Sequence, residues 1–228
     1  MKQVSIVIPV YNQLKMTINC LSDVLLTCGV ETEIIVVDDG SKQPVSMAIK
    51  KMFPQIKVLT NETNLGFART VNRGIRAATH DLICLLNNDI RLPNSTWLKK
   101  MVKTLDSGVD ITSPAFGRFN NKWDYIPGEV KYSKDLNNKE FQYPVGWAML
   151  VRRSVFDKIG FLPEDFGTGF WEDVLFAYMA KKVGLKMGIT ENTRIEHLYH
   201  QTFKAEGYNI TKEYQEKRKI FLDIIRKS

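Results

Sequence analysis

The sequence predicts an α/β protein: a mixed, mostly parallel central sheet flanked by helices, in a single domain with a helical C-terminal extension. Three observations carry that expectation. Through the first half, short apolar runs alternate with amphipathic stretches, the pattern of successive βα units. The runs are continuously apolar rather than alternating, as strands covered on both faces must be. Each run also ends in a cluster of polar residues.

In chain order, strands are expected at residues 4–10, 33–37, 56–60 and 81–86, with helices at 14–27, 46–52, 66–78 and 95–106 between and after them. A further strand is expected at 109–114. Residues 116–143 are polar, rich in Asn and Lys and weakly periodic, so they are expected to form a functional loop or lid. Residues 146–151 return as a strand, 152–158 as a short helix and 171–183 as an amphipathic helix with Glu172 and Asp173 in its first turn. Short strands at 185–189 and 193–197 precede a helix at 211–227, with Tyr214, Ile220, Phe221, Ile224 and Ile225 on one side.

Composition removes several classes. With 228 residues, 44% apolar and 25% charged, the chain has ordinary globular proportions and is neither disordered, collagenous nor a coiled coil. No apolar run reaches the ~18 residues of a membrane span, and residues 4–10 lack a signal cleavage site, so a chain beginning at Met1 in the cytoplasm is expected. Cys20, Cys28 and Cys84 are odd in number and have no C-x-x-C spacing, which suits buried reduced thiols. The net charge of +7 fits an anionic partner or simply a lysine-rich surface. There is neither a G-x-G-x-x-G nor a Walker A loop, which disfavours a dinucleotide dehydrogenase and a P-loop NTPase.

In an open α/β sheet, ligands bind at the carboxyl ends of the strands, so the polar clusters Tyr11-Asn12, Asp38-Asp39-Gly40-Ser41, Asn61-Glu62 and Asn87-Asn88-Asp89 should share one rim. Asp38 and Asp39 can accept hydrogen bonds from a nucleobase and ribose, or cap the next helix. Asp89 can hold a divalent metal between two phosphates, although the same letters make a turn before Pro93. Glu172 and Asp173 are favoured in a first helical turn by the helix dipole, and an ionised carboxylate there is also a workable general base. His197 and His200 read as metal ligands or as ordinary satisfied histidines. Residues 116–143 carry Arg118, Lys122, Trp123, Tyr125, Lys131 and Tyr132, suited to acceptor contacts or to a disordered insertion.

Taken in order, SIVIPVYN (5–12), EIIVVDDGS (33–41), NLGFARTVN (64–72), LLNND (85–89), GWAMLVR (146–152) and WED (171–173) resemble the family 2 glycosyltransferases of GT-A fold. The resemblance covers residues 4 to about 202. It implies a Rossmann-like sheet and an enzyme that uses Mg²⁺ or Mn²⁺ to transfer a sugar, with inversion, from a UDP-, dTDP- or GDP-sugar to a hydroxyl acceptor. Pro9 would line the nucleobase, Asp38 and Asp39 would bind base and ribose, and Asn64 and Gly66 would form a turn close to the nucleotide. Asn88 would be a further donor contact, Asp89 and His197 the metal ligands and Asp173 the catalytic base. Trp147, Trp171 and Glu172 are expected on the acceptor side. Many family members continue the E-D motif with a second acid and an Arg, where this chain has Leu175 and Tyr178.

The resemblance divides the chain into a glycosyltransferase domain at 1–202, with a donor half at 1–110 and an acceptor half at 111–202, and a basic tail at 203–228. A glycan or lipid-linked saccharide is the expected acceptor, with a hydroxylated nucleic-acid base as the minority alternative. A catalytically weakened nucleotide-sugar-binding module is the second functional reading. In the tail seven Lys or Arg face four acids. Its apolar stripe could lie on an acidic membrane surface, accompany nucleic-acid binding or pack against the domain.

Overall fold

The computed structural model describes residues 2–127, 140–199 and 201–227. Its seven-stranded sheet contains β1 (Val4–Val10), β2 (Thr32–Asp38), β3 (Lys57–Thr60), β4 (Leu82–Leu86), β6 (Ile111–Ser113), β9 (Ala148–Arg152) and β10 (Met187–Ile189), in the order β10-β6-β9-β4-β1-β2-β3. All neighbours are parallel except β9, which runs antiparallel to both β4 and β6. The mixed, mostly parallel sheet predicted from sequence is therefore the one found.

The pleat sorts the apolar runs onto two cores. Ile6, Ile8, Val36, Cys84 and Leu86 face a cluster completed by α1 (Leu14–Thr27), α2 (Val45–Met52) and α4 (Trp97–Asp106). Val7, Ile35, Val37, Ile83 and Leu85 face the opposite cluster with α3 (Phe67–Ala77), α5 (Arg153–Ile159) and α6 (Glu172–Lys182). Consecutive strands fall on either side of β1, with β2 on one side and β4 on the other. The order reverses there and opens a crevice at the strand ends.

The predicted loop at 116–143 is corrected at both ends. β7 (Phe116–Asn120) pairs antiparallel with β8 (Glu140–Pro144), aligning Phe119 with Phe141 and Gly117 with Tyr143. The reason is burial. Phe119 and Tyr143 alternate toward a third cluster with Trp171, Val174 and Leu175, which a structureless lid could not supply. Lys131, Tyr132 and His200, named above as candidates, lie outside the described residues.

Two more short strands, β5 (Ile90–Arg91) and β11 (Glu196–His197), pair with one another, so the strand expected at 193–197 is only its last two residues. After them come α7 (Gln201–Ala205) and α8 (Ile210–Lys227). The apolar stripe of α8 turns inward: Phe221 is fully buried against Trp123 and Trp171, at ring-centroid distances of 4.6 and 4.9 Å. Arg218 adds hydrogen bonds to the carbonyls of Trp123 and Lys122, at 3.0 and 2.8 Å, and an ion pair with Asp124. Among the described residues no helix is long and apolar enough to cross a membrane.

Phe221→Ala should lower unfolding free energy by about 3–5 kcal/mol, the usual loss when a buried aromatic is truncated. Denaturant unfolding measures this, and a change under about 1 kcal/mol would mean that α8 is not part of the folded core.

Candidate active site

A cavity opens at the carboxyl ends of β1, β2 and β4, enclosing about 770 Å³ including the part open to solvent. Of the residues singled out from sequence, Pro9, Asp39, Asn64, Gly66, Asn88, Asp89 and His197 all line it. Asp38, Trp147, Trp171, Glu172 and Asp173 do not.

Asp39 organises one end. Its Oδ1 accepts hydrogen bonds from Asn61 Nδ2 and the Leu65 N–H, both at 2.8 Å, and its Oδ2 accepts one from the Gly66 N–H at 3.0 Å. A carboxylate offers about four lone-pair positions, so three are committed to the fold and one is left for a ligand. The strand-end acid and the turn at 64–66, separate motifs in sequence, are thus one hydrogen-bonded unit. Asn64 Oδ1 closes the same turn on the Gly66 N–H. Gly66 has φ +90°, and a Cβ there would sit 2.1 Å from the Gly167 carbonyl oxygen, so only glycine lets these two loops touch. Asp38 has a different place. Its oxygens accept from the Ser41 N–H and from the N–H and hydroxyl of Ser46, fastening the turn to the first turn of α2.

At the other end Asp89 Oδ1 lies 3.1 Å from His197 Nε2, while its Oδ2 accepts the Gln201 N–H at 3.4 Å. The Leu198 N–H bonds the Asp89 carbonyl, which completes the link between β5 and β11. Burial alone would raise the Asp89 pKa, but the hydrogen bond and charge of His197, with the Gln201 N–H, outweigh it and keep the carboxyl below its ordinary value. Asp89 is therefore an anion despite being 5% exposed. Asn88, also buried, donates to Thr17 Oγ1 at 2.9 Å and braces the strand end against α1. A bound divalent metal fits the chemistry of this pair, one carboxylate oxygen and one imidazole nitrogen converging on the cavity. Among the described residues no group of three or more His, Cys, Asp or Glu could hold a metal. Ligand oxygens or water would have to complete its shell.

Asp173 stands behind this rim, and the return strand connects it. The Trp147 carbonyl accepts the Asn87 N–H at 2.9 Å, and the Trp147 ring stacks on His197 with centroids 5.1 Å apart and planes 13° from parallel. The neighbouring Gly146 N–H donates to Asp173 Oδ2 at 2.9 Å, and the Val174 N–H donates to Oδ1. A continuous path of contacts therefore runs Asp89, His197, Trp147, Gly146, Asp173. Burial raises the Asp173 pKa, with the two N–H donors opposing it. Burial and then the charge of Asp173 raise that of Glu172, whose Oε2 is buried without a hydrogen-bond partner. The two carboxyls titrate as a pair.

The segment before them is unusual. Gly167, Gly169, Phe170 and Trp171 all have positive φ, at 64°, 138°, 70° and 72°. For the two aromatic residues that conformation costs energy and needs outside support. The C-terminal helix supplies it: Trp171 Nε1 donates to the Tyr214 carbonyl at 3.1 Å, and Thr168 Oγ1 donates to Glu213 Oε2 at 3.1 Å. Trp171 is 2% exposed and sits in the aromatic core, whereas Trp147 is partly exposed at the rim. Leu175 is packed into the same core.

Sequence reasoning missed one wall of the cavity. Thr202, Phe203 and Tyr208, from α7 and the turn after it, also line the cavity. Glu206 ties this strap to the end of β1, accepting from Asn12 Nδ2 at 2.7 Å. The readable signal was the run of aromatics that follows His197 within eleven residues, Tyr199, Phe203 and Tyr208. Among the described residues no Lys or Arg lines the cavity.

A mixed, mostly parallel sheet flanked by helices, with its cavity at the strand ends, is the fold of the GT-A glycosyltransferases. The chain belongs to glycosyl transferase family 2, whose family model matches residues 5–160. It is similar to the glycosyltransferase AglE of Haloferax volcanii, 24% identical over 179 residues, covering 73% of this chain and 58% of AglE. In fold it is similar to the mannosyltransferase PcManGT of Pyrobaculum calidifontis, solved with GDP-Man and Mn²⁺, at a TM-score of 0.66 and 19% identity over 89% of this chain and 59% of that one. It is also similar to TarS of S. aureus, at a TM-score of 0.60 and 20% identity over 83% of this chain and 58% of that one. The chain thus spans less than three-fifths of the length of each of these.

Gly66→Ala should cost about 1–3 kcal/mol in denaturant unfolding, since a methyl group must force apart two backbones in contact. A variant as stable as the parent would mean that residues 66 and 167 are not held together.

Proposed function

We propose that the chain is a metal-dependent, inverting glycosyltransferase that moves a sugar from a nucleoside-diphosphate sugar to an acceptor hydroxyl. The path of contacts from Asp89 to Asp173 through His197, Trp147 and Gly146 carries this reading, because it joins a phosphate-and-metal end to a partly buried base.

The cavity volume suits a nucleotide sugar. Pro9 and Asn64 line the nucleobase end, and Asp39 offers its remaining lone pair to base or ribose. Asp89 and His197 would hold the metal, and a nitrogen ligand favours Mn²⁺ over the all-oxygen habit of Mg²⁺. A bound divalent metal supplies electrostatic stabilisation of the diphosphate's growing negative charge. Among the described residues the lining carries no Lys or Arg to share that role. The donor bound in the PcManGT structure supports screening GDP-sugars first.

Asp173, held by the Gly146 and Val174 N–H groups, accepts the proton of the acceptor hydroxyl. The acceptor oxygen bonds to the anomeric carbon as the bond to the diphosphate oxygen breaks on the opposite face, and the electron pair leaves with the nucleoside diphosphate. Glu172, Trp147 and Trp171 stand on the acceptor side, Trp147 at the rim and the other two as support beneath it. Donor binding at 1–110 and acceptor binding at 111–202 is the corresponding division of the chain, and a glycan is the acceptor class we favour.

Transfer or hydrolysis from a panel of UDP-, GDP- and dTDP-sugars with Mn²⁺ tests the assignment, and inactivity toward all of them would favour a binding module instead. Asp173→Asn should lower kcat by about 10²- to 10⁴-fold and leave nucleotide binding intact. Because burial raises the Asp173 pKa and the base must be ionised, activity should be present above that value and lost as pH falls through it, at a pH higher than an exposed aspartate would give. Full activity of the Asn variant would remove the base assignment.

Asp89→Ala should abolish the Mn²⁺-dependent part of nucleoside-diphosphate affinity, read by calorimetry with and without metal. Equal affinity of parent and variant under both conditions would exclude Asp89 as a ligand.

A further inference from the structure

Two threonines line the cavity together with Asp39: Thr70 on α3 and Thr168 in the glycine-containing segment before α6. Their hydroxyls have opposite hydrogen-bonding characters, fixed by what each already bonds.

Thr70 is a donor. Arg73 carries only N–H donors, so the Asn61 side-chain oxygen faces it, and Asn61 Nδ2 gives its two hydrogens to Asp39 Oδ1 at 2.8 Å and to Thr70 Oγ1 at 3.1 Å. Arg73 is itself fastened to the Thr60 carbonyl at 2.6 Å. Thr70 Oγ1 therefore accepts from the fold, and among the described residues no acceptor takes its own hydrogen. That hydrogen is available to a ligand.

Thr168 is the reverse. Its hydroxyl hydrogen goes to Glu213 Oε2 at 3.1 Å, and Lys217 pairs with the same oxygen at 3.6 Å and holds it in place. Only the lone pairs of Thr168 remain for a ligand.

Asp39 is linked to both. The shared Asn61 nitrogen keeps Asp39 Oδ1 and Thr70 Oγ1 within about 6 Å of one another. Through its other oxygen Asp39 takes the Gly66 N–H, and Gly66 packs on the Gly167 carbonyl, next to Thr168. The groups thus run donor, acceptor, acceptor, with Asp39 supplying in the middle the one position left to it. Asn64 is exposed, so its amide hydrogens meet water and select nothing.

A nucleobase that satisfies this row presents acceptor, donor, donor along its Watson–Crick edge. Guanine does so, with O6, N1–H and the N2 amino group. Each other common base sets an acceptor against an acceptor: uracil and thymine bring O2 to Thr168, cytosine brings N3 to Asp39, and adenine brings N1 to Asp39. Unpaired polar groups in a closed site discriminate strongly. We infer that Thr70, Asp39 and Thr168 select guanine, so that the donor is a GDP-linked sugar. This rests on the nucleotide-binding part of the proposed function.

The test is calorimetry on the full chain at fixed Mn²⁺ with the diphosphates of guanosine, inosine, uridine, cytidine and adenosine. GDP should bind most tightly, and inosine diphosphate, which lacks only the N2 amino group, on the order of tenfold more weakly. Thr168→Val should bring GDP down to the inosine diphosphate value and leave inosine diphosphate unchanged. Thr70→Val should weaken both on the order of tenfold, with Thr70→Ser restoring them. Because Thr70 is 1% exposed and its hydroxyl partners Asn61, the partly exposed Thr168→Val decides the matter if Thr70→Val does not fold. The selection is overturned if any of the other three bases matches or exceeds GDP, if GDP and inosine diphosphate bind alike, or if Thr168→Val keeps the parent's preference between them. Failure of all five to bind at millimolar concentration would instead remove the nucleotide reading of the cavity, and the selection with it. Binding in the expected order without transfer from any GDP-sugar would leave the selection standing and remove the transferase reading.

Discussion

The antiparallel pairing of β9 with β4 is the constraint on which the rest of the site depends. Apart from the two pairs that β9 makes, every neighbour pair in the sheet is parallel, and a parallel strand in this position would place residue 147 at the far end of the sheet. Reversal instead sets Ala148 opposite Leu86, so that the residues just before β9 meet the residues just after β4. Trp147 reaches His197, Gly146 reaches Asp173, and the two halves of the chain share one rim.

Electrostatics divides that rim into unlike environments. Asp39 is surrounded by N–H donors and behaves as part of the backbone scaffold, with a single acceptor position to spare. Asp89 remains charged because a histidine compensates its burial. Among the described residues no cation is hydrogen-bonded to Glu172 or Asp173, and burial holds their affinity for protons high. Three acidic positions of similar sequence appearance thus have three chemical characters, set by what donates to each. The separation leaves one carboxylate anionic and a second pair with raised affinity for protons.

Much of the first half was legible because its information is local. An apolar run followed by Asp38-Asp39-Gly40 or Asn87-Asn88-Asp89 specifies a strand, its end and the rim on which the end lies, and the structure follows that reading closely. The second half depends on partners far apart in sequence. β7 and β8 are separated by about twenty residues, and the alternation of Phe119, Phe141 and Tyr143 has no meaning until α6 and α8 are present to bury it. β5 and β11 are two residues each, too short for any periodic signal. The strap at Phe203 and Tyr208 belongs to the cavity only through the Glu206 contact with Asn12, 194 positions away. Asp38 and Asp39 were indistinguishable as letters; strand direction and the facing turn assign one to α2 and the other to the cavity.

The support of Trp171 by Tyr214 also sets an order of assembly. Chains leave the ribosome N-terminus first, and domains begin to fold as they emerge. The hydrogen bonds that join Asp39 to the turn at 64–66 are encoded by the first half and can form early. Phe170 and Trp171, held left-handed beneath α8, acquire their support only after a helix encoded some forty residues later has been made. During synthesis the two parts of the site therefore mature separately, the Asp39 turn forming before the acid pair at 172 and 173 is set in place.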